Sequence, residues 1–126
     1  MLFNKKRVDV TEDGGLSCAF FVSSLLKIFD LITDVHGTVN STIRDMKATR
    51  WYKIKKPICG SVIAWKGIKY KSKIYRHIGF YVGDNKSISN SWKKKVPIVH
   101  HWTYHNKRKV VGIFWNKKLG SGQLAQ

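Results

Sequence analysis

Several common architectures are missing from this chain of 126 residues. It has two cysteines, Cys18 and Cys59, too few for a disulfide scaffold or a four-ligand structural zinc site. Prolines number two, and there is no internal repeat, low-complexity stretch or Pro-rich linker, so one compact domain over residues 1–119 is expected. No apolar run approaches the ~20 residues needed to cross a bilayer. The opening Met1-Leu2-Phe3-Asn4-Lys5-Lys6-Arg7 is basic but leads into no apolar stretch, so no signal peptide is expected and the compartment stays unassigned. Residues 1–13 read as irregular, and the Gly/Ser-rich end 120–126 reads as a disordered tail.

Acidic residues are the scarcest class. Seven Asp and Glu face 24 Lys and Arg, a formal net charge of +17. Such a field favours anionic partners and speeds their encounter. The lysines are dispersed over 53–56, 66–73, 93–95 and 107–109, which suits general polyanion affinity better than one nucleic-acid groove. No helix-turn-helix, zinc-finger or ribonucleoprotein motif is visible, so any nucleic-acid binding is expected to be non-specific.

Apolar residues make up 43 % of the chain, enough to fill one core. Ser17 to Phe29 has helical periodicity: Phe21, Leu25 and Ile28 recur on one face, and Val22, Leu26 and Phe29 beside them, which predicts a largely buried helix. A second helix is predicted from about Asn40 to Thr49, with Thr38, Asn40 or Ser41 as its cap. The texture then changes to strands at 61–65, 74–82, 86–91, 96–104 and 110–115, with Gly83-Asp84-Asn85 as a hairpin turn. Helices first and an antiparallel sheet of about five strands afterwards make an α+β fold.

Chemistry concentrates at two places. Cys18 follows Gly14 and Gly15 at the predicted start of the first helix, where free amides and aligned peptide dipoles stabilise a thiolate. The two glycines would let a substrate backbone approach the thiol. His77 lies on an alternating strand, with Gly79 and Gly83 clearing space around it, and is the candidate base. A lone cysteine is most often a small buried hydrophobe; the helix start and the histidine strand tip the balance. Cys59, in a Pro-x-x-Gly turn, keeps the bland assignment, and a Cys18–Cys59 disulfide would consume the nucleophile.

The imidazole needs an orienting group. A two-residue turn at Asp84-Asn85 would pair Gly79 with Asn90 and put Asn90 on His77's face; a turn one residue longer would present Ser89 instead. Asn90 is preferred because its carbonyl oxygen accepts an imidazole N–H, with Ser89 as its rival. Trp92, His100, His101 and Trp102 are candidate walls of a groove in which a glycan or peptide would lie. No set of histidines has convincing metal-ligand spacing, so neither metal nor other cofactor is expected.

These residues resemble the NlpC-type and CHAP cell-wall peptidases, bacterial papain-like hydrolases. Cys18-Ala19-Phe20-Phe21-Val22 is similar to that group's nucleophile helix. His77-Ile78-Gly79-Phe80-Tyr81-Val82-Gly83 closely resembles its histidine strand, and 57–65 its Pro-Gly-Asp entry, with Ser61 in place of the acid. The likeness spans about Gly14 to Trp115. It implies a papain-like fold and a monomeric peptidoglycan endopeptidase or amidase that works without a metal through a cysteine–imidazole pair. The chain departs from the pattern at three points. Ser17 stands where an Asp is common before the cysteine, Ser89 occupies the position often held by a third catalytic His, and no upstream tyrosine precedes the nucleophile.

Overall fold

A computed structural model describes residues 15–91 and 93–120; the segments 1–13 and 121–126, Gly14 and Trp92 lie outside the described residues. Two helices, α1 (Gly15–Ile28) and α2 (Val39–Ala48), precede the strands β1 (Tyr52–Lys53), β2 (Val62–Tyr70), β3 (Lys73–Gly83), β4 (Lys86–Asn90), β5 (Pro97–His101) and β6 (Val110–Trp115). The strands form one antiparallel sheet in the order β1-β6-β2-β3-β4-β5. The α+β class therefore holds, but the sheet has six strands instead of five. The extra one is the two-residue β1, too short to leave a periodic trace in the sequence.

Cys18, Ala19, Val22 and Leu26 form the buried stripe of α1, packed against Val62, Ala64, Ile78 and Phe114 of the sheet. Burial of such side chains removes apolar surface from water and is the main term holding the helix in place. The helix is less enclosed than its composition suggested. Ile28 and Phe29 at its end are largely exposed, because the chain turns away there. Ser23 ties the return segment down: its hydroxyl donates to the His36 carbonyl and accepts from the His36 amide. Thr38 is the cap of α2, accepting from the Ser41 amide at 3.1 Å. Asp45 accepts from the amides of Thr33 and Asp34 and meets His36 Nε2 at 2.7 Å.

β2 and β3 are longer than the sequence periodicity indicated. Their ladder continues through Ile68↔Tyr75, Lys69↔Ile74 and Tyr70↔Lys73 to a tight turn at Lys71-Ser72, both at positive φ. Neither β6 nor β4 pairs with this outer part. β5, by contrast, is shorter than expected. It stops at His101, and Tyr104, His105 and Asn106 adopt left-handed conformations that no strand accommodates.

Candidate active site

The sheet has a second face, where Ile63, Trp65 and Ile113 pack with Tyr81, Trp102, Tyr104 and Val110. His77 projects onto this face. It is paired with Trp65 across β2–β3, their rings 5.1 Å apart. Two residues on, Gly79 lies so close to β4 that an added Cβ would stand 2.6 Å from the Ile88 carbonyl oxygen and 2.7 Å from Ser89 Cβ. Glycine is thus required at 79 by close approach, and that approach brings Ser89 to His77. Gly83 serves differently: nothing lies near its missing side chain, and it adopts a φ of 94° entering the Asp84-Asn85 turn.

The orienting residue turns on register. The two-residue turn forms as the sequence indicates, with Gly83 opposite Lys86. But Tyr81 faces Ser87, so Val82 is an extra residue on β3, a bulge that shifts the ladder by one. The shift puts Ser89, not Asn90, on His77's side. Ser89 Oγ lies 2.9 Å from His77 Nε2. Asn90 falls on the opposite face of the strand and pairs with Pro97 in the β4–β5 ladder.

Ser89 is nearly fully buried and meets two further groups, His100 Nε2 at 2.8 Å and the Tyr104 hydroxyl at 3.4 Å. The His100 and Tyr104 rings stack 4.1 Å apart, and both abut Trp65. Trp65 is itself anchored by its indole N–H donating to the Trp102 carbonyl. His101 points elsewhere. Its Nδ1 accepts from Thr103 and from the His105 amide, organising the turn after β5. The Trp102 ring packs edge-on against Tyr81.

Cys18 is the fourth residue of α1, inside its first turn. Its thiol donates weakly to the Arg76 carbonyl at 3.8 Å, and the Ile78 amide faces the sulfur. These two main-chain groups flank His77. They lie where β4 has already parted from β3, so α1 completes the strand's hydrogen bonding in place of a neighbour.

Electrostatics corrects one expectation. The thiol has no exposed surface, and burial pushes its pKa up to about 11. The Ile78 amide, the Arg108 charge and the Ala19 and Cys18 amides favour the anion as the helix start should, but desolvation outweighs them. His77, half-buried beside Trp65, is pushed down to about 3, first by burial, then by the charges of Arg108 and His100. At neutral pH the resting pair is thiol and neutral imidazole, not thiolate and imidazolium. Cys59, by contrast, is exposed. An alkylating reagent therefore reaches Cys59 before Cys18 in the resting protein, the reverse of the order an activated, open Cys18 would give.

Arg108 and Tyr104 gave no signal in the sequence. Arg108 stands in a run of surface-like basic residues, yet its guanidinium donates to the Lys66 and Tyr75 carbonyls and its charge acts on both Cys18 and His77. Tyr104 lies past the end of β5, in a turn whose geometry the pattern did not show. His100 was singled out in the sequence only as a candidate groove wall; its link to Ser89 required the β4–β5 register. The turn of the Pro-x-x-Gly segment is closed by Ser61, whose hydroxyl accepts from the Ile58 amide and donates to the Ile58 carbonyl. Gly15 opens α1.

Among the described residues no group of three His, Cys, Asp or Glu side chains is placed to hold a metal ion, and no helix is long and apolar enough to cross a membrane. No protein-family model matches the chain, and no curated protein matches it either, so the family question rests on the site itself.

Proposed function

We propose that this protein is a cysteine hydrolase of papain-like type that cleaves amide bonds in the stem peptides of peptidoglycan. The observation that carries the reading is the seat of the Cys18 sulfur, on the main-chain groups either side of His77, whose imidazole is held by Ser89. The substrate class comes from the resemblance of the Cys18 helix and the 77–83 strand to cell-wall peptidases.

The neutral resting pair dictates the order of events. Attack of sulfur on the amide carbonyl is coupled to transfer of its proton to His77, and the carbonyl π pair moves to oxygen. The Cys18 and Ala19 amides lie beside the reacting sulfur and favour its negative charge, and Arg108 supplies a nearby positive charge. Collapse expels the amine, which takes the proton from His77 and leaves a thioester that water hydrolyses. Because the thiol has no exposed surface, the carbonyl reaches it only after neighbouring side chains part. The test is release of muropeptides from purified peptidoglycan by wild type and by Cys18→Ala. Release by wild type alone is the expected outcome; equal release by both proteins, or none by either on any peptidoglycan type, overturns the reading.

A second property is favoured by a separate observation. The outer part of the β2–β3 hairpin carries Lys66, Lys69, Lys71, Lys73 and Arg76 with no acidic residue between them, and Ile68, Tyr70 and Ile74 are exposed beside them. Such a ribbon suits an anionic polymer, with wall polymer first and nucleic acid as a non-specific alternative. Binding to either should weaken steeply with added salt.

A further inference from the structure

The contacts around Ser89 have only one consistent direction. The His100 Nδ1 lies 2.8 Å from the carbonyl oxygen of His101. A carbonyl only accepts, so Nδ1 carries the ring proton, and Nε2 of the neutral ring is an acceptor. Ser89 Oγ, 2.8 Å from that Nε2, must donate its single proton there. It has none left for His77, so His77 Nε2, at 2.9 Å, must be the donor to Ser89. The remaining Ser89 lone pair faces the Tyr104 hydroxyl at 3.4 Å. The opposite direction would set two bare acceptors, Ser89 Oγ and His100 Nε2, against each other inside a dry cluster, which costs the desolvation of each. Ser89 is 1 % exposed, so water does not offer the hydroxyl an alternative.

We propose that His100, acting through the Ser89 hydroxyl, is the positioning residue that holds His77 as the Nε2–H tautomer and leaves His77 Nδ1 as the lone pair that takes the Cys18 thiol proton. This rests on the enzymatic reading above. His100 does not touch substrate. It is rigid because Tyr104 stacks on it and Trp65 packs beside both rings. Burial keeps both imidazoles below their ordinary pKa and hence uncharged at neutral pH, which the chain of donors requires.

The proton balance needs no transfer along the chain. When sulfur attacks, the S–H bond breaks and the proton joins Nδ1. The resulting imidazolium keeps its Nε2–H pointed at Ser89, and Ser89 keeps its proton on His100. When the amine leaves, Nδ1 returns the proton to it. His100 thus fixes a direction and consumes nothing. A serine alone, free to rotate, would support either tautomer, and part of the histidine population would present an N–H to the thiol.

The experiment is a long-range proton–nitrogen correlation spectrum of the imidazoles in the full chain near neutral pH, assigned with single histidine variants. Wild type is expected to show His77 as a single Nε2–H tautomer and His100 as Nδ1–H. In His100→Phe the acceptor is lost, and the His77 signals move to a mixture of tautomers. In His100→Gln the side-chain carbonyl accepts from Ser89, and the single tautomer returns. A His77 Nδ1–H signal in wild type overturns the proposal, as does an unchanged His77 in His100→Phe. A purely structural role for His100 would not give the Gln rescue. The spectra do not depend on turnover: if Cys18→Ala shows the enzymatic reading to be wrong, the tautomers still report on the chain of donors. A cysteine-dependent activity with the opposite His77 tautomer would overturn this inference alone.

Discussion

The inner and outer halves of the β2–β3 hairpin are built from the same ladder and behave as opposites. In the inner half, 62–65 and 77–81, β6 flanks one side and β4 the other; α1 seals Ile78 on one face, and the cluster of Tyr81, Trp102 and Tyr104 seals Ile63 and Trp65 on the other. In the outer half, 66–76, no strand flanks either edge, and Ile68, Tyr70 and Ile74 stay exposed among five cations. The hydrogen-bonded ladder is common to both; the neighbours alone decide where water goes. A charge is costly in the first setting and nearly free in the second. On the proposed reading, neutral proton-transfer chemistry belongs to one end of the hairpin and polyanion contact to the other.

The largest break in that contrast should come from its aromatic residues. Trp65 is 1 % exposed, touches His77, His100 and Tyr104, and donates to the Trp102 carbonyl. Trp65→Ala should cost about 3–5 kcal/mol in urea unfolding, as core aromatic deletions do. Tyr70→Ala, at 52 % exposure in the outer half, should stay within roughly 0.5 kcal/mol. Equal losses at the two sites would mean that the hairpin is buried along its whole length, for instance by self-association.

The glycines give a finer version of the same comparison. A Cβ at Gly79 meets backbone, the Ile88 carbonyl at 2.6 Å, whereas a Cβ at Gly67 meets the end of a side chain, Ile74 Cγ2 at 2.5 Å. Backbone in a paired strand cannot move aside, but an exposed isoleucine can change rotamer. Gly79→Ala should destabilise by about 1–3 kcal/mol and separate Ser89 from His77, as overpacking does. Gly67→Ala should cost well under about 1 kcal/mol and leave the His77 imidazole signals unchanged. A larger loss at 67 than at 79 would contradict the packing described for the inner half.

The legibility of the sequence divides along the same hairpin. Helix periodicity, the entry after Pro57 and Gly60, and the Gly83-Asp84-Asn85 turn were readable because each is set by local chemistry. The Cys18 and His77 positions were readable for the same reason. The bulge at Val82 was not, since nothing in a valine announces that it will be left out of the ladder. That one residue moved the partner of His77 from Asn90 to Ser89. The burial of Cys18 was also hidden, because a helix start reads as an exposed dipole until the sheet that covers it is known. Arg108 was indistinguishable from the lysines around it until the close of β2 on β3 supplied carbonyls for it to hold. The outer half went unread because its Lys71-Ser72 turn holds positive φ without a glycine, asparagine or aspartate to announce a hairpin.

The smallest effect is a slope. His77 binds a proton with a pKa near 6.5 when unfolded and about 3 when folded, so the unfolded chain takes up more protons between those values. Stability therefore falls as pH drops below about 6.5, by roughly 1.4 kcal/mol per pH unit for this one group. The groups bearing on the ring are Arg108, Tyr104, His100 and Ser89, of which His100 titrates in the same sense and adds to the slope. Asp45 works in the same direction but only at lower pH. Burial opposes its ionisation, yet His36 and the Thr33 and Asp34 amides hold its carboxyl below the ordinary value, so its contribution is lost in strong acid. Unfolding free energies measured between about pH 6 and pH 4.5 isolate the histidines. His77→Gln should flatten the slope by about one proton, whatever it does to absolute stability, while Lys69→Gln and Lys71→Gln in the outer half should leave it unchanged. An undiminished slope in His77→Gln would mean that the imidazole is solvated in the folded protein, and the difference between the two halves of the hairpin would not extend to the group on which the proposed chemistry depends.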